Sequence, residues 1–211
     1  MLEACLKGEI MEDNKMLDYI KNVLENMPAG WLNLTTHRLD IYDEKLAITQ
    51  FIDQFEALFN ANNAEASALD ELPTAYDYIR LGHPLSCVLE WAIAKINNTS
   101  TENVISFSSQ TAPVLAILRK NLLDNRNTQI LYTGELPSFF DAEILQHVYG
   151  YTFDLKHTEQ VEDIPSFDGS TIFMSQQEEI GDFNLRPKVD FFINLIPSLG
   201  SILLVNGEQN K

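Results

Sequence analysis

The sequence predicts an α/β fold, with helices flanking a parallel-rich sheet and a helical N-terminal extension ahead of it. Three observations predict it. Beyond Pro84, short apolar runs alternate with segments whose apolar residues recur at helical spacing, the rhythm of strands joined by crossover helices. Before residue 76 the apolar residues recur at helical spacing alone. Hydrophobic residues make up 45% of the chain and aromatic residues 10%, enough for a buried core and too much for wholesale disorder. A chain of 211 residues suits one domain, or one domain with a small extension. The extension is placed at residues 1–75 and the α/β domain at 76–211.

Each element has its own signal. Met16, Leu17, Ile20, Val23 and Leu24 mark a first helix, stopped by Pro28-Ala29-Gly30. Leu46, Ile48, Phe51, Ile52, Phe55, Leu58 and Phe59 mark a second from Glu44 to Phe59, its aromatics read as core. Polar, Ala-rich Asn60 to Glu71 reads as a linker or a mobile loop. Pro84 suits the first position of a helix running to Ile96. Strands follow at Asn103–Phe107, Gln129–Tyr132, Tyr151–Leu155 and Thr171–Met174, with helices at Ala112–Leu123, Phe139–Val148 and Val189–Leu199. The last strand, Ser201–Val205, is apolar from Ile202 onward and reads as a central parallel strand buried on both faces. In open α/β sheets ligands bind beyond the carboxyl ends of strands. The sequence stops six residues after Val205, so the domain is expected to be incomplete at its C-terminus.

Composition excludes several function classes. The net charge is −17, from 31 acidic against 14 basic residues, and such a surface repels a phosphate backbone. No nucleic-acid role is expected. Cys5 and Cys87 lack zinc-ligand spacing and imply no disulfide framework. Cys87, among Leu85, Val88 and Leu89, reads as a small buried hydrophobe. There is no basic-then-apolar leader and no apolar run long enough for a bilayer, so a cytoplasmic protein with no membrane partner is expected. His37, His83, His147 and His157 show no metal-ligand spacing. The acidic run Gln177-Glu178-Glu179 with Asp182 lacks the glycine and alternation of a calcium loop. No metal site is expected. Dinucleotide and P-loop fingerprints are absent, as is the Gly-x-Ser-x-Gly elbow of a hydrolase.

Two constellations point to an anion. In Tyr76-Asp77-Tyr78-Ile79-Arg80-Leu81-Gly82-His83-Pro84, alternate residues of an extended segment share a face, so the Tyr78 phenol and Arg80 guanidinium converge on one oxyanion. Ser108-Ser109-Gln110-Thr111 lies between a predicted strand and a predicted helix. There, backbone amides, hydroxyls and the positive end of the helix dipole favour a phosphate. The plain alternatives are a surface arginine beside a core tyrosine and an ordinary helix N-cap.

These residues resemble the large domain of fold-type-I pyridoxal-phosphate enzymes, in particular the cystathionine synthase/lyase group of Cys/Met metabolism. The likeness runs through Tyr76–Ile96, Val104–Leu123 and Ser170–Asn206. Its Tyr-x-Arg-x-Gly-x-Pro motif matches Tyr78 to Pro84, and its Ser-Ser-Gly-Met-Ala phosphate turn corresponds to Ser108-Ser109-Gln110-Thr111-Ala112. The resemblance implies that Tyr78 and Arg80 reach the cofactor phosphate of a neighbouring subunit in a homodimer, and that Ser108, Ser109 and Gln110 form the phosphate turn. It implies that Asn206 stands where the family carries the Asp that pairs with the pyridine nitrogen. It also implies lyase or transferase chemistry on a small sulfur amino-acid substrate in a complete relative. The departures are substantial. Gln110 replaces a glycine that allows close backbone approach, the ring-stacking tyrosine falls near Pro137 with Phe139 and Phe140 as nearby substitutes, and an amide replaces the carboxylate at Asn206. The Schiff-base lysine of the family lies beyond this sequence, and Lys188 and Lys211 read as solvated surface. No catalytic residue is therefore assigned. Pyridoxal phosphate is expected to bind noncovalently, in a truncated or degenerate homologue. The alternative is a non-catalytic acidic α/β interaction module or regulatory subunit.

Overall fold

A computed structural model describes residues 2–32, 49–73, 83–158, 164, 166–177 and 189–206, with side chains from residue 14 onward. The chain divides into two compact units, Met1–Ala92 and Ile93–Lys211. The expected boundary near residue 75 lies outside the described residues.

The first unit is helical. Helix α1 spans Leu2–Asn26, and its buried face is Met16, Tyr19 and Val23. Leu17 and Leu24 are exposed instead, because Tyr19 occupies the inward position. A short 3-10 turn, Ala29–Leu32, follows the Pro28 stop. Helix α2 covers Phe51–Asn60 and presents Phe51, Phe55 and Phe59 at i, i+4, i+8. The stretch read as a linker holds a five-residue helix α3, Ala66–Asp70. Fully buried Leu69 ties it down where composition alone read a loop. The aromatics form a connected cluster: Tyr19 meets Phe59 at 5.2 Å and Phe55 at 5.7 Å, and Trp91 meets both, at 5.1 and 5.2 Å. All four are edge-on contacts, the favourable geometry for ring quadrupoles.

Tyr19 also carries a titration signature. Its hydroxyl donates to the carbonyl of Asn63 at 3.0 Å, and burial pushes its pKa from 10.0 up to about 12. The folded state thus holds the proton more tightly than the unfolded chain. That contribution is complete below pH 10 and is lost as pH rises through about 12. Urea unfolding followed by tryptophan fluorescence should show stability falling across this window. Tyr19→Phe should flatten the fall and cost about 1 kcal/mol at neutral pH for the missing hydrogen bond.

Helix α4, Pro84–Ile96, has the predicted bounds, and the division between the units falls inside it. His83 starts it: its Nδ1 accepts the Leu85 N–H at 3.2 Å and its carbonyl accepts the Cys87 N–H at 3.0 Å. Cys87 is buried, as expected.

The second unit is an α/β domain. Strands β1 Val104–Phe107, β2 Thr128–Tyr132, β3 Asp154–His157, β4 Ser170–Ser175, β5 Phe191–Ile196 and β6 Gly200–Val205 form one sheet in the order β1-β6-β5-β4-β2-β3. β3, β2, β4 and β5 are mutually parallel, while β6 runs antiparallel to both β5 and β1. Alternate strand residues face opposite layers. Ile130, Ile172, Ile193 and Leu203 pack with Val114, Ile117 and Leu118 of helix α5, Ala112–Leu123. Leu131, Phe173, Phe192 and Leu204 pack with Ile93 and Ala94 on the other side. The result is a helix–sheet–helix core.

Two expectations are corrected here. Residues 189–199 are not a helix: Phe191–Ile196 is β5, buried at every position and paired on both edges. β6 is central and buried, but antiparallel, because only Pro197–Leu199 separates it from β5. Three residues allow a hairpin and no crossover. The helix expected over residues 139–148 is present but starts later, over residues 142–148, its last part the wide turn Ile144–Val148, and it is capped by Asp141, whose Oδ1 accepts the Ile144 N–H at 3.0 Å.

Candidate functional site

The β1–α5 corner forms as its residue types dictate. β1 ends at Phe107, and α5 begins at Ala112 with Pro113 in its first turn, where a missing N–H costs nothing. The Ser109 hydroxyl accepts the N–H groups of Thr111 and Ala112, both at 3.2 Å, and shares a hydrogen bond with the Thr111 hydroxyl at 3.0 Å. Ser109 is thus an internal cap for the start of α5. The corner is also pinned by β6. Ser201 donates through Oγ to the Ser109 carbonyl at 2.6 Å. Gly200, at φ +126°, comes so close that an added Cβ would stand 2.1 Å from the Phe107 carbonyl oxygen.

Beside this corner, on the α5 side of the sheet, lies a cavity of about 280 Å³. Its walls include Thr111, Val114 and Leu115 from the start of α5, with Phe139, Phe140 and Tyr149 opposite. Phe140 is set by its N–H, which donates to the Pro137 carbonyl at 2.8 Å, and by an edge contact with Phe153 at 6.2 Å. The cavity therefore joins a helix N-terminus and a hydroxyl to flat apolar walls, at the carboxyl edge where ligands bind in α/β sheets.

The expected site residues separate into three groups. Ser108, Ser109 and Gln110 lie together in the corner. Tyr78 and Arg80 lie outside the described residues, as do Lys188 and Lys211. Asn206 is corrected: β6 runs antiparallel, so its end points to the amino edge of the sheet, away from the corner. Phe107 pairs with Ser201 and Val104 with Leu204, which puts Asn206 about 17 Å of strand from Ser201. There its amide donates to the Val189 carbonyl at 3.3 Å.

These residues fit pyridoxal phosphate in part. Amides and hydroxyls at a helix start suit a phosphate, and Phe139 and Phe140 suit a ring. Two of the helix-start amides are already taken by Ser109, so a phosphate has to displace that hydroxyl. Asn206 cannot pair with the nitrogen of a ring whose phosphate sits at Ser109. Among the described residues no group of three His, Cys, Asp or Glu could hold a metal ion, and no helix is long and apolar enough to cross a membrane.

Asn194 escaped sequence reading. It is fully buried on β5, and both ends of its amide engage the Gln177 backbone: Oδ1 accepts the N–H at 2.9 Å and Nδ2 donates to the carbonyl at 3.2 Å. A lone amide inside the apolar run Phe191–Ile196 was the available signal.

No protein-family profile matches the chain, and no curated protein sequence matches it. Among solved structures, it is similar to a Campylobacter jejuni protein provisionally named O-acetylhomoserine (thiol)-lyase, which contains N'-pyridoxyl-lysine-5'-monophosphate. The likeness covers 84% of this chain and 49% of that one, at 15% identity and a TM-score of 0.39. The chain thus spans about half the length of that protein. At this identity and TM-score the likeness assigns no residue a role.

Proposed function

We propose that this chain is a cofactor-binding domain of the pyridoxal-phosphate-dependent transferase and lyase type of sulfur amino-acid metabolism, holding the cofactor noncovalently. The observation that carries the reading is the capped β1–α5 corner opening beside an aromatic-walled cavity at the carboxyl edge of the sheet. The Tyr78-x-Arg80-x-Gly82-x-Pro84 motif supports it. In this reading Ser108, Ser109 and Gln110 bind the phosphate, Phe139 and Phe140 wall the ring, and Tyr78 and Arg80 act from the twin subunit of a homodimer. When bound, the cofactor supplies an electron sink for bonds to an amino-acid α-carbon. The residues assigned here bind and orient, and none is given a proton to move.

A second reading, a non-catalytic acidic interaction module or regulatory subunit, is favoured by the Ser109 hydroxyl occupying the helix-start amides and by the position of Asn206. Titration with pyridoxal phosphate followed by visible absorbance separates the two. The first predicts saturable, dialysable binding that weakens at least about tenfold in Arg80→Ala, the loss expected for a charge-assisted hydrogen bond, and a dimer in light scattering. No absorbance change leaves the second reading. A borohydride-reducible adduct at one specific lysine contradicts the noncovalent assignment.

A further inference from the structure

We propose that the cavity beside the β1–α5 corner also selects a small organic cation, an alkylammonium ion, through the carboxylate of Asp141. The cavity encloses about 280 Å³, near the lower end of the range for small-ligand sites. The inference goes beyond the cofactor reading and rests on a different group. There the phosphate is met at Ser109; here the deciding charge stands at the start of the helical residues 142–148.

The walls carry one sign of charge. Among the described residues they include no Lys, Arg or His, and Asp141 is their only acidic member. Its Oδ1 accepts the Ile144 N–H at 3.0 Å, which fixes the carboxylate at a helix start. Its Oδ2 meets no donor and no cation among the described residues. Asp141 is exposed, so a ligand can reach the carboxylate from the open side of the cavity. An anion would be repelled there, and two amides that could offset the repulsion, those of Thr111 and Ala112, are held by the Ser109 hydroxyl at 3.2 Å. A cation is attracted instead, and the net charge of −17 raises the cation concentration around the whole chain.

The remaining walls decide what kind of cation. Phe139, Phe140 and Tyr149 bring three aromatic rings to the same cavity as the carboxylate, and ring faces attract an ammonium head through their quadrupoles. Val114 and Leu115 add aliphatic surface on the α5 side, where an alkyl tail leaves water. A metal ion needs several oxygen ligands, and a single carboxylate does not supply them. A neutral hydrocarbon would use the rings and leave the charge unmet. An ammonium head on a short apolar tail uses both.

The test titrates the whole chain with n-butylammonium chloride, n-butanol and sodium butyrate, three probes with one kind of tail and different heads, followed by ¹H–¹⁵N spectra. Saturable shifts at the Asp141 and Ile144 amides are expected with butylammonium, and binding about fivefold weaker or less with the other two. Asp141→Asn keeps an oxygen for the Ile144 N–H; it should weaken butylammonium about fivefold and leave butanol unchanged. Tyr149→Leu, at an exposed position, should weaken butylammonium about threefold and keeps the test decisive if the first variant fails to fold. Equal affinity for butanol, an unaltered response in Asp141→Asn, or no saturable shift overturns the proposal. Pyridoxal phosphate is titrated separately, without the amine, so failure of the cofactor reading and failure of this one are read apart.

Discussion

Gly200→Ala is expected to destabilise the second unit by about 3 kcal/mol or more. The new methyl group would stand 2.1 Å from the Phe107 carbonyl oxygen, 2.9 Å from the Ser108 carbonyl carbon and 3.0 Å from its Cα. All three are backbone atoms, so no side chain can swing aside. The φ of +126° adds strain that an L-residue rarely tolerates. Relief requires parting β6 from β1 where Phe107 pairs with Ser201, which also breaks the Ser201–Ser109 hydrogen bond and loosens the corner. Gly134→Ala is the control. Its φ is +70° but nothing lies within 4 Å of the added carbon, so it should cost only about 1 kcal/mol. Urea unfolding by far-UV circular dichroism reads both; equal midpoints for the two variants would refute the close-approach argument.

Trp91→Ala is expected to cost about 3–5 kcal/mol, acting on the first unit. Trp91 is 1% exposed and meets Phe55 and Phe59 edge-on, and those two rings hold Tyr19. Removing the indole leaves a cavity in the middle of the cluster and takes an edge contact from each of two neighbours. Both tryptophans of the chain, Trp31 and Trp91, belong to this unit, so Trp31 remains as its fluorescent reporter in the variant. Trp91→Phe should retain more than half of the lost stability by keeping a ring in place. A Trp31 unfolding midpoint within about 1 kcal/mol of wild type for Trp91→Ala would remove the cluster from its central role.

Much of the fold was legible in the sequence. Both α4 and α5 were placed at their observed ends, because Pro84 marks a helix start and Ala112–Leu123 follows a hydroxyl-rich cap. β5 was not, since Phe-Phe-Ile-Asn-Leu-Ile is apolar at every position but one and fits a buried helix as well as a buried strand. That single misreading propagated. With β5 taken as a helix, β6 looked parallel and Asn206 seemed to reach the ligand edge. Once β5 is a strand, Pro197–Leu199 can only be a hairpin turn, and Asn206 belongs to the opposite edge. The corner itself was read correctly as a strand-to-helix junction. The Ser109 cap of α5 is a local contact and was among the readings the sequence allowed; that Phe139 and Phe140 close a cavity beside it depends on contacts between distant segments that periodicity does not encode.

The sheet order has a kinetic consequence. Among the described residues, β1, at residues 104–107, touches the sheet only through β6, at residues 200–205. During synthesis, β1 therefore waits without a partner strand for nearly a hundred residues, while the parallel block of β2, β3, β4 and β5 can assemble as it emerges. Such a late, long-range closure slows folding, and the final hairpin is the step on which completion of the sheet depends.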